Sequence, residues 1–273
     1  MNTKTPSCLL PEHPGPLDAP LQALAFAPRI IPVGDCALTV EFGRDINPQT
    51  HALVLGFAHA LGSMANNGLL NGVIEWVPAF CSVTVHFEPD QSDPERLADV
   101  LLTLAHKGAS ASAVGCRWHI PVCFEPDFAP DLEALAAARH LQPAEVVRLM
   151  TSTVFTVYML GFLPGFPYLG GLPAACEMPR LQTPRIVVPA RSIAVAGRMC
   201  AAYPWESPGG WRLLGRTPVR LFDPANTRRP ALLAPGDEVV WRAIDRATYE
   251  TLEAQCAQDR FDVSTLLASG VEE

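Results

Sequence analysis

The stretch VYMLGFLPGFPYLGGLP, residues 157–173, combines two properties that loops seldom share. It begins like a β-strand and then places glycine or proline at positions 161, 164, 165, 167, 170, 171 and 173. These residues favour turns, yet Phe162, Phe166, Tyr168 and Leu172 are large and hydrophobic. We expect an ordered aromatic loop that either covers a pocket of its own domain or packs on a partner protein, with Phe162, Phe166 and Leu172 as the partner-facing residues.

The sequence around this loop predicts a β-rich domain. Residues 153–243 consist of short apolar segments separated by glycine and proline: TVFTVYMLGF, SIAVAG, CAAYPW, GWRLLG, VRLF and DEVVWRA. Another strand is expected in CRWHIPVCF, before two short helices near 130–140 and 143–150, and a final helix covers about 245–257. Short strands with this spacing are typical of a β-barrel or a sandwich.

The N-terminal part has a different pattern. Strands are predicted at 29–33, 37–42, 73–80 and 82–89, and apolar residues at helical spacing predict helices over 48–65 and 94–106. This order indicates an α+β domain with helices on one face of an antiparallel sheet. The predicted organisation is a disordered proline-rich tail (1–28), a small ferredoxin-like α+β domain (29–108), a linker (109–115), a β-barrel domain (116–245), and a C-terminal helix and tail (246–273).

Composition narrows the range of functions. The 273-residue chain has a net charge of −8, which argues against a nucleic-acid partner, and no run of apolar residues is long enough to span a membrane. The eight cysteines show no metal-binding spacing, and the N-terminus does not resemble a signal peptide. We therefore expect a cytoplasmic protein with reduced thiols and without a metal site.

Positive charge is concentrated around the aromatic loop. Between Thr151 and Asp223 there are seven arginines and three acidic residues, although the whole chain is acidic. The sequence has no histidine after His140, and Lys4 and Lys107 are its two lysines. After residue 140 the chain therefore lacks the lysine of a P-loop or a Schiff base and has no histidine to bind a metal.

A second motif, YPWESPGGWRLLGR at residues 203–216, contains groups suited to binding an anion. Glycines in its Ser-Pro-Gly-Gly turn let backbone amides approach a ligand, and Arg212 and Arg216 would lie on one face of a regular strand. Guanidinium groups bind carboxylate or phosphate, but the same arginines would also tie barrel loops together through carbonyl oxygens. The predicted substrate- or anion-binding residues are Arg185, Arg198, Ser207, Gly209, Gly210, Arg212 and Arg216.

Two side chains of this region are candidates for catalysis. Glu206 lies beside the turn and would serve either as a general base or as an ion-pair partner of an arginine. Tyr168 would either donate a hydrogen bond to a substrate oxyanion or cap a backbone carbonyl.

Four ordered motifs resemble a known family. Over residues 29–245 the chain closely resembles the allophanate hydrolase subunit 1 family. The motifs that carry the resemblance are VYMLGFLPGFPYLGGLP, TPRIVVPARSIAVAG, YPWESPGGWRLLGRTPVRLFDP and ALLAPGDEV. The family includes the B subunit of 5-oxoprolinase and a Kip-type inhibitor of a sporulation histidine kinase. The resemblance implies a cyclophilin-like barrel after a small N-terminal domain. It also implies that the chain is the B subunit of an ATP-dependent amidohydrolase that opens 5-oxoproline to L-glutamate.

The resemblance also implies partners and alternatives. Expected partners are a homologous C-type subunit and a lactam-utilising A-type subunit, with ATP bound with or by them. The alternatives are a regulator that inhibits a sensor histidine kinase and a carboxyltransferase half-site for urea or allophanate. The chain departs from the family at Met150, where histidine is common, at Arg191, where glycine is common, and at Met199-Cys200-Ala201, where Gln-Thr-Gly is common.

Overall fold

The computed structural model of the chain describes residues 26–107 and 115–268. The chain divides into two compact units, Met1–Ser112 and Ala113–Glu273. Most of the tail predicted over 1–28, and residues 109–114 of the predicted linker, lie outside the described residues.

The first unit is a four-stranded antiparallel sheet with two helices against one face. Its elements are β1 (Arg29–Pro32), β2 (Ala37–Glu41), α1 (Pro48–Asn66), β3 (Val73–Pro78), β4 (Ser82–Phe87) and α2 (Pro94–His106). The strands pair in the order β1-β2-β4-β3, and alternate residues of β4, Val83, Val85 and Phe87, are buried against the helices. In a ferredoxin-like β-α-β-β-α-β unit the last strand follows the second helix, whereas here β1 precedes the unit and pairs with β2.

The second unit contains a closed barrel of seven strands, which confirms the predicted α+β class with a barrel domain. Its elements are β5 (Arg117–Cys123), α3 (Leu132–Ala138), α4 (Pro143–Ser152), β6 (Phe155–Leu160), β7 (Pro167–Gly170), β8 (Arg185–Val188), β9 (Ser192–Ala196), β10 (Met199–Ala202), β11 (Ser207–Gly209), β12 (Arg212–Arg216), β13 (Glu238–Ile244) and α5 (Arg246–Ala257). The barrel order is β10-β7-β6-β13-β5-β12-β9, while β8 and β11 form a separate two-stranded ribbon. Residues 219–222, expected as a strand, contribute an isolated bridge between Phe222 and Ala231.

Strand alternation fills the barrel with apolar side chains. One core cluster contains fully buried residues from four different strands: Ile120, Val157, Val195 and Trp241. Two of the positions that depart from the family pattern lie in the same core, because Met150 of α4 and Cys200 of β10 are also fully buried. At these positions the chain therefore uses apolar packing rather than polar side chains.

The outer face of the barrel supports a second apolar layer. Ala194, Ala196 and Ala201 face outward from β9 and β10, and their small side chains let Phe166 and Tyr203 pack closely. Val188 of the ribbon, Trp211 and Leu213 complete this cluster. The layer fixes the aromatic loop and the ribbon against the barrel.

Arg191 adopts a backbone conformation that favours glycine, with φ of +68°. The Arg191 amide donates to the carbonyl of Tyr203, and the Arg191 carbonyl accepts from Thr217. Its guanidinium forms an ion pair with Glu253 of α5 and donates to the carbonyl of Pro218 over 3.2 Å. These contacts offset the cost of a side chain at a position where the family commonly has glycine.

Candidate anion-binding site

Four aromatic residues of the outer layer form the base of the candidate site. The ring centroid of Phe166 lies 5.0 Å from that of Tyr168, 5.0 Å from that of Tyr203 and 6.2 Å from that of Trp211. The Tyr168 and Trp211 centroids are 5.9 Å apart. Tilted and edge-on contacts of this kind hold aromatic rings in fixed positions, so the base is rigid.

Arg180 lies over this aromatic base. Its guanidinium carbon is 5.7 Å from the centroid of the Trp211 ring, a cation–π distance. Burial raises the pKa of Tyr168 and of Tyr203, while the positive charge of Arg180 acts in the opposite direction on both. Tyr168 is therefore a neutral phenol beside a cation at ordinary pH.

The segment that carries Arg180 is fixed at several points. The amide of Gly197 donates to the Met178 carbonyl over 2.7 Å, and the amide of Leu181 donates to the Gly210 carbonyl over 2.7 Å. Nε of Arg212 donates to the carbonyl of Pro179 over 3.3 Å. Arg180 and Arg212 are thus held near one another by residues 178–181.

Within residues 26–107 and 115–268, no carboxylate lies at ion-pair distance from Arg180 or Arg212. We refer to Tyr168, Arg180, Trp211 and Arg212 as the Trp211 site. Arg180 lies over the indole ring, and Arg212 is bonded to the carbonyl of the residue before Arg180. Two guanidinium groups and a phenol close to an aromatic surface suit a small anion with an apolar part.

Arg185, a predicted anion ligand, is instead bound by the chain itself. Its Nη2 donates to Oδ1 of Asp131 over 2.7 Å, and its Nη1 donates to the Trp211 carbonyl over 3.3 Å. Asp131 is buried, and its Oδ2 accepts from the amide of Leu213 over 2.6 Å. Arg185 therefore ties the ribbon to the barrel.

Arg198 and Arg216 do not join the Trp211 site. Arg198 is exposed and lies 3.6 Å from Glu177, while Nε of Arg216 donates to the Ala190 carbonyl over 2.9 Å. The expectation that Arg212 and Arg216 share a face of their strand is wrong. A register shift in β12 places them opposite Val195 and Ser192, which are three residues apart on β9 and so lie on opposite faces.

In the turn at residues 207–210, a glycine allows close packing and a serine has a buried hydroxyl group. A Cβ on Gly209 would lie 2.4 Å from the Tyr203 hydroxyl oxygen, so the absence of a side chain lets the aromatic base approach the ribbon. The Oγ of Ser207 is buried and has no hydrogen-bond partner among the described residues. Glu206 is exposed, and none of the described arginines forms an ion pair with it.

The aromatic loop is divided between interior and surface. Phe166 is 1% exposed and Leu172 is 8% exposed, so the predicted partner-facing role is wrong for these two residues. They are buried because the alanines of β9 and β10 leave room for Phe166, and the barrel core accommodates Leu172. Phe162 is 63% exposed and contacts the Phe166 ring with centroids 5.4 Å apart.

Comparison with known proteins shows the family of the chain. The family model described as carboxyltransferase domain, subdomain C and D, matches residues 28–233. The 5-oxoprolinase B subunit of Bacillus subtilis (strain 168) is 36% identical over 242 residues, covering 82% of this chain and 95% of that protein. The chain belongs to the family of 5-oxoprolinase B subunits. A second member, from Escherichia coli O157:H7, is 36% identical over 211 residues, 76% of this chain and 92% of that one.

A solved structure agrees with this family assignment. The crystal structure of TTHA0988 superposes with a TM-score of 0.66 at 32% identity and covers 77% of this chain. The match spans 40% of the TTHA0988 chain, so the region that resembles this chain is part of a longer polypeptide there. In the described part of this chain no helix is long and apolar enough to cross a membrane, and no group of three or more metal-ligating side chains is found.

Proposed function

We propose that this chain is the B subunit of a 5-oxoprolinase-like, ATP-dependent amidohydrolase of the cytoplasm. The reaction converts 5-oxoproline, ATP and water to L-glutamate, ADP and phosphate. The observation that carries the proposal is 36% identity to the Bacillus subtilis 5-oxoprolinase B subunit, over 95% of that protein. The chain acts with a homologous C-type subunit and a lactam-utilising A-type subunit.

In this proposal the Trp211 site holds the carboxylate of the lactam substrate. Arg180 and Arg212 supply positive charge without a carboxylate partner in the described residues, and the indole of Trp211 packs against the apolar ring of the substrate. Burial raises the pKa of Tyr168, so its phenol stays protonated in this site. Opening a lactam through a phosphorylated carbonyl depends mainly on positioning and charge stabilisation, which these groups provide without a nucleophile.

The nucleotide does not fit this site. A triphosphate with its metal ion is usually held by lysine, by a glycine-rich loop at a helix N-terminus and by carboxylates. The donors of the Trp211 site are two guanidinium groups and a phenol. Glu177, the acidic residue of the 177–181 segment, is already paired with Arg198 and so does not supply a carboxylate for a metal ion. We therefore assign ATP to the partner subunits.

An exposed apolar surface supports the need for a partner. Four large apolar side chains are exposed on the aromatic loop, the ribbon or the segment leading into the ribbon. They are Phe162 (63% exposed), Ile186 (88%), Val187 (51%) and Trp205 (41%). We refer to these four residues as the apolar rim. Large apolar side chains that remain exposed on neighbouring segments often belong to a protein contact. The longer chain of TTHA0988 agrees with a companion polypeptide beside this unit.

A reconstitution experiment tests the function. The chain is co-expressed with candidate A-type and C-type subunits, and L-glutamate release from 5-oxoproline is measured with and without ATP. The proposal expects ATP-dependent release by the complex and none by the isolated chain. Transfer of a carboxyl group from biotin to urea by the same complex would favour the carboxyltransferase alternative, which the name of the matched family model supports. Inhibition of a sensor kinase without hydrolysis would favour the regulatory alternative.

The partner surface is tested by substitution. Ile186→Ser should weaken co-purification of the C-type subunit, because it removes the most exposed side chain of the apolar rim. Ile74→Ser is the matched control, since Ile74 is 59% exposed on β3 of the first unit. Equal recovery of the partner with both variants would contradict the assignment of this surface.

A further inference from the structure

A cavity of about 210 Å³ lies in the second unit, apart from the Trp211 site. It is partly open to solvent and is lined by the irregular segment after β12 and by the residues at and after the end of α5. Leu232, Phe261 and Val263 form an apolar wall, and Arg220, Asp223 and Arg229 supply charge. Since a water molecule occupies about 30 Å³ in the liquid, the cavity has room for a molecule the size of an amino acid.

Arg229 is held in place by the fold. Its Nη2 donates to the carbonyl of Leu232 over 3.0 Å and lies 3.5 Å from Oδ2 of Asp237, which is buried. Its guanidinium also lies 5.2 Å from the centroid of the Trp118 ring. A ligand would have to break several buried contacts to recruit Arg229, so we treat it as part of the wall.

Arg220, in contrast, is free to change partner. It is paired with Asp259 over 2.8 Å, but the Asp259 side chain is 79% exposed and that of Arg220 is 44% exposed. Exposed pairs of this kind contribute little, because water solvates both charges and screens their attraction. A carboxylate arriving inside the cavity would compete well with Asp259 for this guanidinium.

Asp223 provides the opposite charge. Its Oδ1 accepts a hydrogen bond from the amide of Ala225 over 3.0 Å, and its own amide donates to the carbonyl of Pro230. No basic side chain of the described residues forms an ion pair with it. The cavity thus combines an unpaired carboxylate, an exchangeable guanidinium and an apolar wall.

We propose that this cavity binds a zwitterionic α-amino acid with an apolar side chain. The ammonium group pairs with Asp223, the carboxylate replaces Asp259 on Arg220, and the side chain packs against Phe261 and Val263. The two charged groups of such a ligand satisfy the two charged groups of the cavity. The site does not depend on the proposed hydrolase function, since its lining shares no residue with the Trp211 site and its apolar wall suits neither the lactam nor the side-chain carboxylate of L-glutamate.

Isothermal titration of the isolated full-length chain with L-leucine tests the proposal without any hydrolysis. Binding is expected for L-leucine and should be at least about tenfold weaker for 3-methylbutylamine, which lacks the carboxylate, and for 4-methylpentanoate, which lacks the ammonium group. No heat of binding with L-leucine, or equal affinity for either analogue, would overturn the proposal.

Three variants separate the proposed contacts from general damage. Asp223→Asn keeps an oxygen for the Ala225 amide but loses the charge, and Arg220→Gln removes the guanidinium; each should weaken L-leucine binding at least about tenfold. Asp259→Asn should bind L-leucine as tightly as the unmodified chain, or more tightly, because it releases Arg220. A loss of affinity confined to Asp259→Asn would contradict the arrangement, and circular dichroism confirms that each variant is folded.

Discussion

The contact between Gly209 and Tyr203 allows a quantitative test of how the outer layer is built. Alanine at position 209 would place its Cβ 2.4 Å from the Tyr203 hydroxyl oxygen and 2.9 Å from Cζ. Tyr203 is 1% exposed and its ring is packed against Phe166 with centroids 5.0 Å apart, so it has little room to retreat. Gly209 is not among the glycines with positive φ, and backbone strain therefore adds nothing to the clash.

The expected magnitude follows from these distances. Overpacking of this kind typically costs about 1–3 kcal/mol, and the lower entropy of the unfolded chain with alanine returns about 0.4–1 kcal/mol. Gly209→Ala should therefore lower the free energy of unfolding by about 1–2 kcal/mol. Tyr203→Phe removes the closest atom and its hydrogen bond with the Trp211 backbone, a loss of about 1 kcal/mol. The double variant should be less destabilised than the sum by about 1 kcal/mol, because the closest contact, at 2.4 Å, is removed while the contact with Cζ stays.

Urea unfolding followed by tryptophan fluorescence measures all four proteins, since four of the five tryptophans lie in the second unit. Gly210→Ala is the matched control, because its nearest neighbouring atoms are 3.7 Å away. It should leave the free energy of unfolding nearly unchanged. Strict additivity of Gly209→Ala and Tyr203→Phe, or an equal effect of Gly210→Ala, would show that the Tyr203 hydroxyl does not limit the space at position 209.

Three further predictions concern buried polar groups. Asp131→Ala should lower the free energy of unfolding by about 3 kcal/mol in urea titrations, because it leaves the buried amide of Leu213 and a guanidinium without their acceptor; a loss below about 1 kcal/mol would contradict this. Burial raises the pKa of Asp237 above 3.8, so the folded chain holds this proton more tightly than the unfolded chain. Its contribution to the free energy of unfolding should be greatest below pH 3.8 and fall as pH rises through the raised pKa, a slope that Asp237→Asn should lack. Burial also raises the pKa of the Cys200 thiol, so iodoacetamide should modify exposed Cys36 in the folded chain and Cys200 after unfolding, as read by peptide mass spectrometry.

Local sequence signals account for much of the fold. The helices of the first unit begin at Pro48 and Pro94, each preceded by a residue whose side chain accepts from the first-turn amides, Asn47 and Asp93. Such caps are readable in the sequence because their partners lie within three residues. Barrel closure depends on contacts between distant strands, such as the parallel pairing of β5 with β13, which no local pattern specifies.

The candidate site was less predictable for the same reason. Arg180 lies in a segment without periodicity, and its role becomes visible once distant Trp211 is placed beneath it. The faces of Arg212 and Arg216 depend on a register shift in β12 that composition does not reveal. Phe166 is buried because residues of β9 and β10 are small, a long-range effect that the sequence of the loop alone does not show.

The dependence of hydrolysis on 5-oxoproline concentration, measured for the reconstituted complex carrying Arg180→Ala, tests the account most directly. Arg148→Ala is the control, since Arg148 is exposed on α4 and is not part of the Trp211 site. If Arg180 holds the substrate carboxylate, KM should rise at least about tenfold with little change in kcat, whereas Arg148→Ala should leave both constants unchanged. An unaltered KM in an active Arg180→Ala complex would contradict the assignment of the substrate carboxylate to this chain.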